Sequence, residues 1–310
     1  MKTGFTIATA SFGVITALTL TACGSAVTET TGASPTSATE SVAEPAASTR
    51  HFALEGAHNV RDIGGYSTAD GKTVAWGRVF RADSLDSLTP DDQRAVADAN
   101  VGTVVDFRGA DEIAKSGVDQ VPESIDVVNI PLLDESTQAL SEAIQTAMTT
   151  GDPAVMQEML GDGKAERIGD EGFVVQLDQP ETMAGYADTM RLIADSDGAL
   201  VYHCTAGKDR TGMMTALLLG LLGVPDDTIV DDFVLSNEFN REHNEETYAF
   251  LASKGVDIDL IRPLTEQSAS KIQPVLDAVN NEYGGWDGFA TTVLGLDGDT
   301  VTKLRDTLLT

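Results

Sequence analysis

Cys204 and Arg210 stand six positions apart in the run His203-Cys204-Thr205-Ala206-Gly207-Lys208-Asp209-Arg210-Thr211-Gly212. A thiolate is a strong nucleophile, and a guanidinium offers a planar fork that can hold two phosphate oxygens. Gly207 and Gly212 permit close backbone approach and a turn into a helix. Backbone N–H groups of Thr205, Ala206, Gly207 and Lys208 would then converge on one spot, at the positive end of a helix opened by Thr211 and Gly212. The same surroundings, with Arg210, favour the Cys204 anion. Such a loop supports double displacement at phosphorus: sulfur attacks, an acid protonates the departing oxygen, and water hydrolyses the phosphocysteine. The Thr211 hydroxyl could donate to the sulfur or assist its departure. His203 reads as a strut behind the loop, because a thiolate already formed needs no base. A core cysteine beside a helix-start arginine is the bland alternative, and it leaves the glycines and Thr211 without a purpose.

The acid has two candidates. Asp209 lies inside the loop next to Arg210 and is preferred; Asp134, after Pro131-Leu132-Leu133, is the second, and a purely structural Asp209 the third. Lys208 adds a cation that would suit a substrate with further phosphates, or it merely offsets nearby acids. Arg61, Asp62, Asp106 and Arg108 read as a supporting ion-pair network.

These residues need a rigid frame. The apolar runs Ala199–Tyr202 and Met213–Leu219 predict a buried strand before the loop and a buried helix after it. Thr89-Pro90-Asp91-Asp92 is a strong helix start, with an N-cap, a proline and first-turn acids. That helix should reach about Asn100, and strands follow at Val101–Asp106 and Ile125–Ile130. Val74–Arg81 reads as extended after the Asp70-Gly71 turn. From Glu135 to Asp170 the chain reads as a polar helical insertion, broken at Gly151-Asp152 and Gly161-Asp162, that would serve as a lid. A helix covers Pro180–Ala194, and the part from Pro225 to Thr310 is helical with breaks at Gly255 and Gly284-Gly285. This alternation argues for an α/β fold: a short, mainly parallel sheet flanked by helices on both faces, with the thiol at a strand's C-terminal end.

Charge and targeting narrow the setting. The 310 residues hold 49 acids against 20 bases, a net of −29, so nucleic acid is not an expected partner and an anionic substrate needs a local basic pocket. Residues 1–22 read as a signal segment ending in Leu20-Thr21-Ala22-Cys23-Gly24, which resembles a bacterial lipoprotein signal with lipid on Cys23. An ordinary secretory signal is the alternative; the apolar run is short and Thr-rich for a membrane span. Residues 23–50 are small and polar and read as a tether, leaving 51–310 as the folded domain on the extracytoplasmic face. Cys204 is then a lone thiol in an oxidising place, either inert or kept for its reactivity. His51, His58, His203 and His243 show no ligand spacing, so neither metal nor cofactor is expected.

The loop resembles the active-site loop of cysteine-dependent phosphatases, and its Ala-Gly-Lys-Asp-Arg-Thr version resembles the bacterial tyrosine phosphatases typified by mycobacterial protein tyrosine phosphatase B. Gly56–Asp62, Gly77–Arg81, Val105–Arg108 and Tyr283-Gly284-Gly285 are similar to further motifs of that family, so the resemblance spans about residues 52–310; Phe107 and the 135–175 insertion depart from it. It implies a cysteine-phosphatase-like fold, a phosphotyrosyl protein or phosphorylated small molecule or lipid as substrate, with phosphoserine and phosphothreonine as further substrates of a dual-specificity enzyme, and an acidic position at Asp134. A phosphoinositide or inositol-phosphate phosphatase is the rival enzyme, motivated by Lys208. The rival of another class is an idle phosphate-binding pseudophosphatase. A sulfurtransferase is disfavoured by the Arg-Thr-Gly helix start.

Overall fold

The computed structural model describes residues 50–132 and 135–310, so the signal, Cys23, nearly all of the tether and Asp134 lie outside the described residues. Arg50, the last residue read as tether, is buried: its guanidinium lies 3.4 Å from the Tyr66 ring centroid and donates to the Gly64 carbonyl.

Five strands form one sheet: β1 (Arg61–Asp62), β2 (Val79–Ala82), β3 (Val101–Asp106), β4 (Asp126–Asn129) and β5 (Ala199–His203), in the order β1-β2-β5-β3-β4. Only the β1–β2 pair is antiparallel. The β5 strand is central, with all five residues buried, and that is why its sequence is continuously apolar. Alternate side chains enter opposite cores, as the pleat requires. Leu200 and Tyr202 join Val79, Val105 and Phe107 in the larger core, while Val201 joins Phe80 and Val104 in the smaller.

The expected helix start is present. Helix α1 (Pro90–Asp98) has Thr89 as N-cap, with Thr89 and Asp92 bonding each other's backbone amides. The Asp92 carboxylate also accepts from the amides of Glu55 and Gly56, tying the opening segment to this helix. Short α2 (Ala110–Ser116) follows β3 directly. The insertion breaks where its glycines stand, into α3 (Glu135–Thr150), α4 (Pro153–Leu160) and α5 (Lys164–Val174). Gly151 and Gly163 hold positive φ at those joints, which L side chains avoid.

Helix α6 (Pro180–Asp195) leads into β5, and α7 (Arg210–Leu221) leaves the loop, buried from Thr211 to Leu221. A helix apolar all round belongs in the middle of a fold. It packs against α8 (Asp226–Phe239), followed by α9 (Arg241–Ser253), α10 (Arg262–Thr265), α11 (Ala269–Asn281), α12 (Gly285–Thr292) and α13 (Gly298–Leu308). A satellite core of Ala147, Met156, Leu160, Ala165, Leu251, Val256 and Ile261 joins the insertion to α9 and the segment after it.

Candidate active site

The loop Cys204–Asp209 runs from the end of β5 to the first turn of α7. Its carbonyls are tied outward. Ser84 N donates to Thr205 O at 3.1 Å. Asn59 and Asn240 side-chain amides each donate to Ala206 O at 3.2 Å. Gly207 O accepts from Asn59 at 2.9 Å and from Arg81 at 2.8 Å. In a trans peptide the N–H points opposite the carbonyl, so the amides of Ala206, Gly207 and Lys208 face the inside of the loop. Gly207 has φ +64°, and a Cβ there would lie 2.6 Å from both Ala82 O and Asp83 N. Only glycine fits that close approach to β2.

Cys204 is buried and unbridged within this loop. Arg210 is aimed by Glu112 of α2, Nη1 to Oε2 at 2.8 Å and Nη2 to Oε1 at 2.6 Å, and by Phe107 O at 2.9 Å. The Thr205 hydroxyl donates to Glu112 Oε1 at 2.5 Å, and Gly109 N to Oε2 at 2.9 Å. Burial opposes the Glu112 charge, but Arg210, Thr205 and Gly109 outweigh it and hold the carboxyl down to about 2. Burial likewise opposes the charge of Arg210, whose pKa is raised by Cys204, Glu112 and Asp209. The Thr211 hydroxyl is buried and makes no hydrogen bond, so the expected donation to the sulfur is not present.

Asp209 sits at the mouth with its side chain about half exposed (49%). Desolvation opposes its charge, and Lys208, Lys271, a hydrogen bond from Gln267 and Arg210 hold it below the ordinary carboxylate range. Lys208 Nζ lies 3.6 Å from Asp209 Oδ2 and donates to the Leu264 carbonyl.

The supporting residues divide into two clusters rather than one network. On one side Arg61 Nε and Arg81 Nη1 share the buried Asp232 carboxylate at 3.0 and 2.7 Å. Burial drives the Asp232 carboxyl up, and the two guanidiniums win, leaving it far below the usual range. Burial and Arg61 push Arg81 down to about 10 against Asp232, so it stays charged at neutral pH. On the other side Arg108 pairs with Asp106 at 2.9 Å, Asp119 at 2.7 Å and Asp86 at 3.2 Å. His203 Nε2 lies 2.9 Å from Asp119 Oδ2, and Nδ1 3.1 Å from Cys204 O, a strut-like placement. Asp106, Asp119 and His203 bring ligand-type atoms within 4.8 Å of one another, and the cation paired with both acids there is Arg108. Asp62 belongs to neither cluster. Burial raises its pKa, and its oxygens accept from Gly64 N at 2.7 Å and Gly77 N at 2.6 Å, where they hold two turns. The expectation that Asp62 joins Arg61 and Arg108 in one network is therefore corrected; the arginine whose charge reaches it is Arg50.

Glu112, Asp119, Asp232, Arg81, Asn59, Asn240 and Gln267 were not singled out from sequence. Glu112 reads as an ordinary first-turn acid, and only Arg81 and Asn59, inside motifs already noted, carried any local signal.

A buried thiol under inward amides, with a pre-aimed guanidinium at a helix start, is an arrangement able to hold a phosphate beside a nucleophile. The pattern of the tyrosine phosphatase family matches residues 52–310, and the chain belongs to that family. It is accordingly a phosphoric monoester hydrolase of the protein-tyrosine phosphatase type. It is 31% identical over 257 residues to a Cupriavidus necator protein assigned by name to the tyrosine-protein phosphatases, covering 83% of this chain and 88% of that one. The triple specificity protein phosphatase PtpB of Mycobacterium tuberculosis is 26% identical over 285 residues, covering 83% and 98%. A tyrosine-protein phosphatase of Nostoc commune is 29% identical over 233 residues, covering 73% and 72%. The crystal structure of P. aeruginosa TpbA aligns with 62% of this chain and 88% of that one, at 16% identity and a TM-score of 0.26, too slight a likeness to place residues.

Proposed function

We propose that this phosphatase works by double displacement through Cys204. The amides of Ala206, Gly207 and Lys208 and the Arg210 fork hold the phosphate oxygens while sulfur attacks phosphorus. Asp209 protonates the departing phenolic oxygen, and water then cleaves the phosphocysteine. The observation that carries this reading is the outward tethering of the loop carbonyls around a buried thiol, which builds the cradle before any substrate arrives. Asp209 is ionised in the free enzyme, and a bound phosphate dianion adds the negative charge that raises its carboxyl toward protonation.

Cys204→Ser should abolish turnover of phosphotyrosyl peptide, and quenched wild-type reactions should yield a phosphate-mass adduct on the Cys204 peptide. Substantial turnover by the serine variant would sink the covalent route. Asp209→Asn and Asp134→Asn form the paired test of the acid. The true one should lose far more on phosphotyrosine than on p-nitrophenyl phosphate, whose leaving group needs little help.

A wider substrate range is the second reading, favoured by the name of the mycobacterial relative. Lys208 speaks for a narrower one, since its ammonium is already engaged by Leu264 and Asp209. Turnover of phosphoinositides that falls selectively in Lys208→Met would support the wider range.

The sequence before the domain supports an exported lipoprotein held by lipid on Cys23. Among the described residues no helix is long and apolar enough to cross a membrane. Mass spectrometry of the mature N-terminus tests the anchor, and an unmodified end would rule it out.

A further inference from the structure

Gln267 donates from Nε2 to Asp209 Oδ1 at 2.8 Å. The other end of its amide is held too, because Lys271 Nζ donates to Gln267 Oε1 at 3.1 Å. An ammonium has only donors and a carboxylate only acceptors, so the two neighbours together dictate which way the amide faces. The Gln267 backbone is clipped at both polar atoms: its N donates to Asn237 Oδ1 at 2.6 Å and its O accepts from Asn237 Nδ2 at 2.8 Å. Lys271 is fixed by a second bond to Glu266 O at 2.6 Å. Gln267 and Lys271 are each 3% exposed, so this chain reaches the site from inside the protein.

We infer that Gln267, oriented by Lys271, is a positioning residue that fixes the Asp209 carboxyl and so directs its acidic proton to Oδ2. This rests on Asp209 being the general acid. The last side-chain torsion of an aspartate is broad, so without a clamp its two oxygens exchange freely. With Oδ1 committed as the acceptor for Gln267, the proton resides on Oδ2. Lys208 Nζ, at 3.6 Å from that oxygen, is beyond hydrogen-bond reach and leaves a lone pair open. In the reaction the Oδ2 proton passes to the leaving oxygen as the P–O bond breaks and the S–P bond forms. Asp209 becomes a carboxylate still bound to Gln267, and the water that hydrolyses the phosphocysteine returns the proton.

The test measures kcat/KM for the full chain on phosphotyrosyl peptide and on p-nitrophenyl phosphate, in wild type and in Asp209→Asn, Gln267→Met, Lys271→Met and the Asp209→Asn/Gln267→Met double variant. Gln267→Met should lose about tenfold on phosphotyrosine, the worth of one charge-assisted hydrogen bond, and several times less on p-nitrophenyl phosphate. Lys271→Met should show the same selectivity at roughly threefold, and it serves alone if the methionine at 267 prevents folding. The double variant should be no slower on phosphotyrosine than Asp209→Asn. An equal loss on both substrates would assign Gln267 a purely structural role and overturn the proposal. So would selective loss in Asp209→Asn without any in Gln267→Met, which spares the acid and removes its clamp. Selective loss in Gln267→Met but not in Asp209→Asn would overturn the acid assignment and the clamp together.

Discussion

The two sides of the Cys204–Asp209 loop solve the same mechanical task with opposite charge. Beneath Gly207, two guanidiniums, Arg61 and Arg81, share one carboxylate, Asp232. Behind His203, one guanidinium, Arg108, serves three carboxylates, Asp86, Asp106 and Asp119. The first side carries an excess of positive charge, and its Arg81 bonds the loop directly. The second carries a negative excess and braces the strand ends through His203. The difference also concerns repair. A carboxylate left unpaired can take up a proton, whereas a guanidinium stays charged at any ordinary pH.

Removing Asp232 should therefore be the most damaging change. Asp232→Asn leaves two buried guanidiniums facing each other and should cost about 3–5 kcal/mol by denaturant unfolding, with no recovery on acidification. Recovery at low pH would erase the contrast between the sides. Arg108→Met should cost about 3 kcal/mol at neutral pH and less as pH falls, because Asp86, whose charge burial opposes and Ser84, Ser87, Ser116 and Arg108 favour, loses the benefit of Arg108 as it takes up a proton. A loss independent of pH would show that packing, not charge, sets the value of that arginine. Glu112 comes next. Its folded pKa lies near 2 and below the unfolded value, so its contribution is complete above the unfolded pKa and is lost as pH falls through about 2. Wild type should shed on the order of 3 kcal/mol across that acid window, and Glu112→Gln should lack this limb of the acid unfolding curve. The smallest effect belongs to Asn59→Ala, which frees the Ala206 and Gly207 carbonyls from one side. It should cost about 1–2 kcal/mol and raise KM for phosphotyrosyl peptide more than it lowers stability.

What could be read from sequence was local. The Thr89 cap, the strands at 101–106 and 199–202 (observed to run on to His203) and the breaks at Gly151 and Gly161 all follow from neighbours within a few positions. That Cys204 and Arg210 share one loop was legible for the same reason, since they stand six residues apart. Partners of those groups were not. Glu112 is 98 residues from Arg210, Asn59 is 148 from Gly207, and Asp232 is 171 from Arg61. A buried charge and a surface charge look alike in a string of letters, and this acidic chain offers many of both. Asp62, read with Arg61, Asp106 and Arg108 as one network, stands apart from it, since successive strand residues point to opposite faces. The Thr211 hydroxyl, read as donating to the sulfur or assisting its departure, makes no hydrogen bond here.

The tethers on the loop carbonyls have a consequence for how the protein is made. They come from Asn59, Arg81, Ser84 and Asn240, and Asp209 is held from position 267. No contiguous fragment shorter than most of the domain contains them all. A chain emerging N-terminus first has Asn59, Arg81 and Ser84 before its thiol, but Asn240 and Gln267 follow the thiol by 36 and 63 residues. Closing such long-range contacts is slow, so the newborn cysteine is briefly ordinary and acquires its setting only when the molecule is nearly complete.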